Sequence, residues 1–83
     1  MLDLHELWER VNATPGASWK LADLALALGV SVRQFRRLMR ENYDLTSEQM
    51  LKRIRMEHAR ELLAATDLTM EMISERVGYH PIF

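Results

Sequence analysis

At 83 residues the chain fits one domain with a modest core, and with no cysteine it offers neither a disulfide framework nor a thiolate metal site. No apolar run approaches the ~20 residues of a membrane span, and the N-terminus lacks the basic start of a signal peptide; a soluble cytoplasmic protein with no membrane partner is the expectation. The formal net charge of −1 advertises no nucleic-acid binding, but the charge is unevenly placed: residues 1–30 and 65–83 are each acidic by two, residues 42–64 balance, and residues 31–41 carry +3.

In chain order, Leu2 to Val11 reads as a short amphipathic helix with Leu4, Leu7, Trp8 and Val11 on one face, broken by Thr14-Pro15-Gly16. Trp19 to Leu28 follows as a second helix, because Leu21, Leu24, Ala25 and Leu28 recur at helical spacing. Ala25 is small enough to admit a neighbouring helix close to the backbone. Gly29 can take positive φ and end the helix sharply, and Val30 plugs the turn into the core. Ser31 is a good N-cap for a third helix running to Glu41, on which Phe35, Leu38 and Met39 share one inward face. At about 100° per residue, Arg33 and Arg37 then point outward and Arg36 and Arg40 flank them, offset by Glu41 alone. Arginine is the side chain that best forks onto guanine in the major groove, and it pairs well with phosphate. A charge run is ordinarily a solvated face; the Ala-Gly-apolar spacing just upstream instead favours a helix-turn-helix DNA reader.

Asn42-Tyr43-Asp44-Leu45 reads as a loop. Thr46 or Ser47 caps a long helix to about Ala65, with Glu48 or Gln49 positioned for a capping box. Met50, Leu51, Ile54, His58 or Ala59, Leu62 and Leu63 make its apolar side. This helix is the expected spine, with Ile54, Ala59 and Leu62 largely buried. Arg55 should have its stem covered and its guanidinium bonded to a carboxylate or a helix-end carbonyl. Thr66-Asp67-Leu68-Thr69 is a second loop and cap, and Met70 to Val77 a last helix with Met72, Ile73 and Val77 inward. No stretch alternates with period two, so the fold class is all-α. His5, His58 and His80 match no ligand spacing and read as surface or rim. There is no paired nucleophile and base, no carboxylate pair and no phosphate-cradling Gly loop. No metal, no cofactor and no enzymatic activity are expected.

The pattern Ala25…Gly29-Val30 recurs 49 residues on as Ser74…Gly78-Tyr79, with Leu24 aligned to Ile73 and Leu28 to Val77. The predicted architecture is therefore a single domain, 1–83, of two helix-turn-helix units. The first spans about 19–41, a linker helix spans about 46–65, and the start of an incomplete second unit spans about 69–83.

The segments LADLALALGVSVRQFRRLMR, LKRIRMEHARELLAATDLT and MEMISERVGY make the chain resemble the DNA-binding domain of the AraC/XylS bacterial transcriptional regulators, from about Trp19 to Tyr79. Arg55 to Leu63 matches that family's linker-helix signature. The resemblance implies that each of two units places a recognition helix in neighbouring major-groove segments. It assigns base reading to Arg33, Arg36 and Arg37, with Ser31, Gln34 and Arg40 nearer the phosphates. Departures from the family pattern are Ser74 for a small alanine, Asp44 where glycine is usual, and Ser47 for a common proline. The second recognition helix would begin close to Phe83, Ile82 and Phe83 are more apolar than family residues there, and the effector-binding domain of many members is absent; a chain cut within its second unit is the expectation. Two readings from different classes follow. One is sequence-specific binding of double-stranded DNA for transcription regulation. The other is a small helical interaction module derived from this fold, with weak or no DNA binding, pairing with itself or with a regulator. The face made by Met70, Ile73, Val77 and Tyr79 leads to an expectation of self-association through the second unit or fraying beyond about Leu68, and of low DNA affinity.

Overall fold

The computed structural model describes residues 2–78. Five helices follow one another: α1 Leu4–Ala13, α2 Leu21–Leu28, α3 Val32–Tyr43, α4 Ser47–Ala65 and α5 Met70–Val77. No strand occurs among the described residues, which makes the chain all-α as its periodicity predicts. No helix is long and apolar enough to cross a membrane. The parts of the sequence reading that concern Tyr79, His80, Ile82 and Phe83 lie outside the described residues.

Each boundary has a local cause. Asp3 caps α1 by accepting the Glu6 N–H at 2.8 Å, and that backbone bond holds its carboxyl below the usual carboxylate range. α1 therefore begins at Leu4 rather than Leu2, and it runs on to Ala13. It stops at Thr14 because the residue before Pro15 is pushed out of the helical region (φ −135°, ψ 64°). α2 starts two residues later than its periodicity predicts. Lys20 is extended (φ −97°, ψ 149°), and the Trp19 indole N–H donates back to the Thr14 carbonyl at 3.1 Å, which keeps Trp19 in the loop.

Gly29 ends α2 in the left-handed region at φ 71°. Ser31 opens α3 with a full capping box: its Oγ accepts the Gln34 N–H at 3.1 Å, and Gln34 Oε1 accepts the Ser31 N–H at 3.0 Å. α3 outruns its predicted end at Glu41. Asn42 and Tyr43 are helical rather than loop, because the stop signal is Asp44, which adopts φ 54° in the position that glycine would favour. Thr46 and Gln49, of the four candidates, form the capping box of α4, and Ser47 takes the first helical position. Thr46→Ala is expected to cost about 1 kcal/mol, the usual worth of an N-cap, read as a lowered urea midpoint at unchanged slope. An unchanged midpoint would show that the cap contributes nothing.

One continuous core joins α1 to α4. Leu7, Trp8, Val11, Leu24, Ala25, Leu28, Phe35, Met39, Leu51 and Ile54 form it, with Trp19, Val30 and Leu38 packed against its edge. α5 packs on α4 and buries Ile73 and Val77. α4 is thus shared by both halves, with qualifications. Ile54 is buried, but Ala59 and Leu62 are half-buried. Leu63, read as part of the apolar side, is 49% exposed, and Met72, read as inward, is 51% exposed. On α5 the buried positions are four apart, Ile73 and Val77, a stripe too narrow to include Met72.

The internal repeat is visible in the helices. α2 and α5 have the same length, eight residues, and the same bounds at the 49-residue offset. Leu24 and Leu28 are buried, as are their counterparts Ile73 and Val77, and the capping glycines share φ 71° and 72°. Ser74 is half-buried where Ala25 is buried.

Candidate nucleic-acid interface

The candidate interface is α3, and its orientation is set from behind. Phe35 is 0% exposed and Met39 1%, both seated against Leu24, Ala25 and Leu28 of α2. α1 backs them up: the Trp8 ring lies 6.4 Å from that of Phe35, and its indole N–H donates to Met39 Sδ at 3.2 Å. The turn from α2 into α3 is closed by the Val30 N–H on the Ala25 carbonyl at 3.1 Å and the Gly29 N–H on the Leu26 carbonyl at 2.9 Å. Leu38 sits at the edge of the inner face, half-buried. With Phe35 and Met39 seated in the core, the helical phase sets which residues of α3 face solvent.

All six residues singled out from the sequence, Ser31, Arg33, Gln34, Arg36, Arg37 and Arg40, are exposed on α3 and its cap. Among the described residues only Arg37 of the four arginines has an acidic partner. Its Nε lies 3.6 Å from Glu41 Oε1, with both side chains well exposed (71% and 60%). Such a pair contributes about 0.3–0.5 kcal/mol and is readily exchanged for another anion. The capping box does not remove Ser31 and Gln34 as donors. Ser31 Oγ and Gln34 Oε1 are used as acceptors, leaving the hydroxyl hydrogen and the Gln34 amide group free to donate.

The structure adds one thing that the arginine spacing did not reveal. The α3–α4 connection is only Asp44, Leu45 and Thr46, which brings the first turn of α4 beside the end of α3. A hollow of about 390 Å³ lies between them, with Arg36 and Arg40 on one side and Asp44, Thr46 and Glu48 on the other. Asp44 and Glu48 thus place two carboxylates beside the Arg36 and Arg40 end of the positive face. The signal for this in the sequence is the brevity of the connection, which is apparent only with Asn42 and Tyr43 inside α3.

Arg55 is half-buried, as its place near the apolar side of α4 predicts. Its partners are neither a carboxylate nor a helix end. Nε donates to the Pro15 carbonyl at 3.0 Å and an Nη to the Ala17 carbonyl at 3.1 Å, both in the loop between α1 and α2. One turn further along α4, half-buried His58 meets Asn12 Oδ1 through Nε2 at 3.0 Å. Among the described residues no group of three or more His, Asp or Glu is placed to hold a metal ion.

Comparison with known proteins bears on this geometry. Residues 24–81 match a family model described as a helix-turn-helix domain. No curated protein matches the chain. Among solved structures, the chain is similar to the C-terminal domain of AraT, a response regulator from Geobacillus stearothermophilus. The two are 30% identical with a TM-score of 0.82, over 90% of this chain and 63% of that one. It is also similar to a transcriptional regulator from Chromobacterium violaceum, of the AraC-type DNA-binding domain-containing proteins. There the identity is 26% and the TM-score 0.86, over 93% of this chain and 69% of the other. The C-terminal domain of the response regulator yesN from Fusobacterium nucleatum shares the fold, at 23% identity and a TM-score of 0.82, over 93% of this chain and 80% of that one. The chain therefore spans less than two thirds of the AraT domain.

Proposed function

We propose that this chain, which belongs to the AraC-type family of DNA-binding helix-turn-helix domains, binds double-stranded DNA sequence-specifically as part of transcription regulation, with α3 in the major groove. The observation that carries the reading is the division of α3 into two faces. Phe35 and Met39 are fully seated in the core, and Arg33, Arg36, Arg37 and Arg40 are presented together on the solvent side. In this reading Arg33, Arg36 and Arg37 approach base edges, where a guanidinium matches the two acceptors of guanine. Ser31, Gln34 and Arg40 donate to phosphates and hold the helix in register.

Binding through these groups releases counterions, so log K falls with log salt by about 0.9 for each phosphate neutralised. A slope between about −1, if Arg40 alone neutralises a phosphate, and about −4, if all four arginines displace counterions, is expected for a fluorescent duplex titrated at several salt concentrations. Arg40→Ala should make that slope shallower by about one and weaken binding to all sequences alike. A slope near zero would sink this reading and favour the helical interaction module.

A further inference from the structure

We propose that the loop between α1 and α2 is a clamp that fixes the angle between the two repeat units, with Gly16 and Arg55 as its positioning residues. The functional sense of the clamp rests on the DNA-binding reading above. The mechanical claim rests on three contacts.

The first contact is backbone against backbone. A Cβ built on Gly16 would stand 2.5 Å from the Arg76 carbonyl oxygen, and one built on Gly78 would stand 3.0 Å from both the Cα and the carbonyl oxygen of Gly16. No flexible side chain lies between them to give way. Gly78 needs to be glycine for its positive φ in any case, but Gly16 does not adopt the left-handed region. Close approach to the end of α5 is the demand the structure places on Gly16. The second contact is Arg55, whose rigid fork spans the carbonyls on either side of Gly16, those of Pro15 and Ala17. The third is His58 on Asn12, which ties the end of α1 to the next turn of α4. The loop is also stiffened from within, by the Ala17 N–H and the Trp19 indole N–H on the Thr14 carbonyl, each at 3.1 Å.

The need for a clamp follows from how α5 is held. It packs on α4 and buries only Ile73 and Val77 of its own side chains. A helix resting on one neighbour keeps freedom to roll and slide, and crossing angles of such pairs scatter by roughly 15–20°. A second contact away from the α4 axis removes that freedom. Gly16 supplies it, and Arg55 anchors Gly16 to α4 itself. On the DNA-binding reading, the angle so fixed sets which spacing of groove contacts the two units can make together.

The absence of cysteine allows a clean test on the full chain. Ala22→Cys on α2 and Glu71→Cys on α5, both exposed positions, carry spin labels for a distance measurement without DNA. A single narrow distance distribution is expected. Gly16→Ala and Arg55→Lys should each displace or broaden it, since lysine keeps the charge and the stem but cannot span two carbonyls. Amide exchange in residues 70–77 should become roughly tenfold faster while α2 and α3 keep their protection. If Gly16→Ala fails to fold, Arg55→Lys carries the test alone. The proposal is overturned by a distribution already broad in the parent, by an unchanged distribution in the folded variants, or by protection lost equally from α2, α3 and α5. Because no DNA enters the measurement, its failure leaves the binding reading standing, and a flat salt slope leaves the clamp standing.

Discussion

Phe35→Ala should destabilise the protein by about 3–5 kcal/mol, the range for truncating a buried aromatic ring. The ring is 0% exposed and lies 6.4 Å from that of Trp8, tilted by 39°. α1 and α2 close over it from the side opposite to the arginines. Its removal opens a cavity where those two helices and α3 converge, and three helices pinned by caps and short turns have little room to collapse into the space. A domain of this size has about 4–12 kcal/mol of stability in total, so the variant should be partly unfolded at 37 °C. Urea denaturation followed by tryptophan fluorescence reads the change, since Trp8 lies beside the cavity. A loss below about 1 kcal/mol would show that α3 is not anchored by its buried face, and the fixed presentation of the arginines would fail with it.

Arg37→Ala should weaken binding to a selected DNA site by about 1–3 kcal/mol, or roughly 5–150-fold, if Arg37 forks onto a base. The side chain is 71% exposed and its bond to Glu41 is a weak surface pair, so folding stability should change by no more than about 0.5 kcal/mol. That separation makes the variant informative, because affinity falls while the fold remains. The loss should be large on the selected site and small on random sequence. Arg40→Ala should instead lower both together, as a phosphate contact does. Equal affinities of wild type and Arg37→Ala for the selected site would refute base reading by Arg37.

Much of the first unit was legible in the amino-acid sequence. The helical phase of α3 follows from Phe35 and Met39 alone, and it places the four arginines outside without any knowledge of neighbours. The ends at Gly29 and Gly78, the caps at Ser31 and Thr69, and the repeat at 49 residues are short-range signals, written in turn chemistry and apolar spacing. The candidate interface is one helix, so local information was enough to assemble it. Local signals compete at two boundaries. Apolar spacing predicts helix from Trp19, but its indole bond to Thr14 holds it in the loop, and the polar run from Asn42 predicts a loop, but the left-handed stop at Asp44 keeps Asn42 and Tyr43 in α3.

The contacts between segments distant in sequence were decided by the tertiary fold alone. Arg55 reaches carbonyls 40 and 38 residues away, His58 meets Asn12 across 46, and Trp8 meets Met39 across 31. Periodicity can say that Arg55 lies beside an apolar face, but it cannot say which backbone passes there. The same holds for Gly16. In the sequence it is one residue of a helix-breaking Thr-Pro-Gly run, and nothing local separates a glycine needed for a turn from one needed for space. Only when α4 carries α5 back against the α1–α2 loop does the Arg76 carbonyl arrive where a side chain would stand. Met72 and Leu63 make the complementary case, since apolar spacing marks them as candidates for burial and the fold brings too little against them to cover them. Local chemistry determined which helices form and which face of α3 is charged, because each residue's neighbours along the chain suffice for that. The angle between the two units required the meeting of segments distant in sequence, because it depends on which backbones come within a few ångströms of each other.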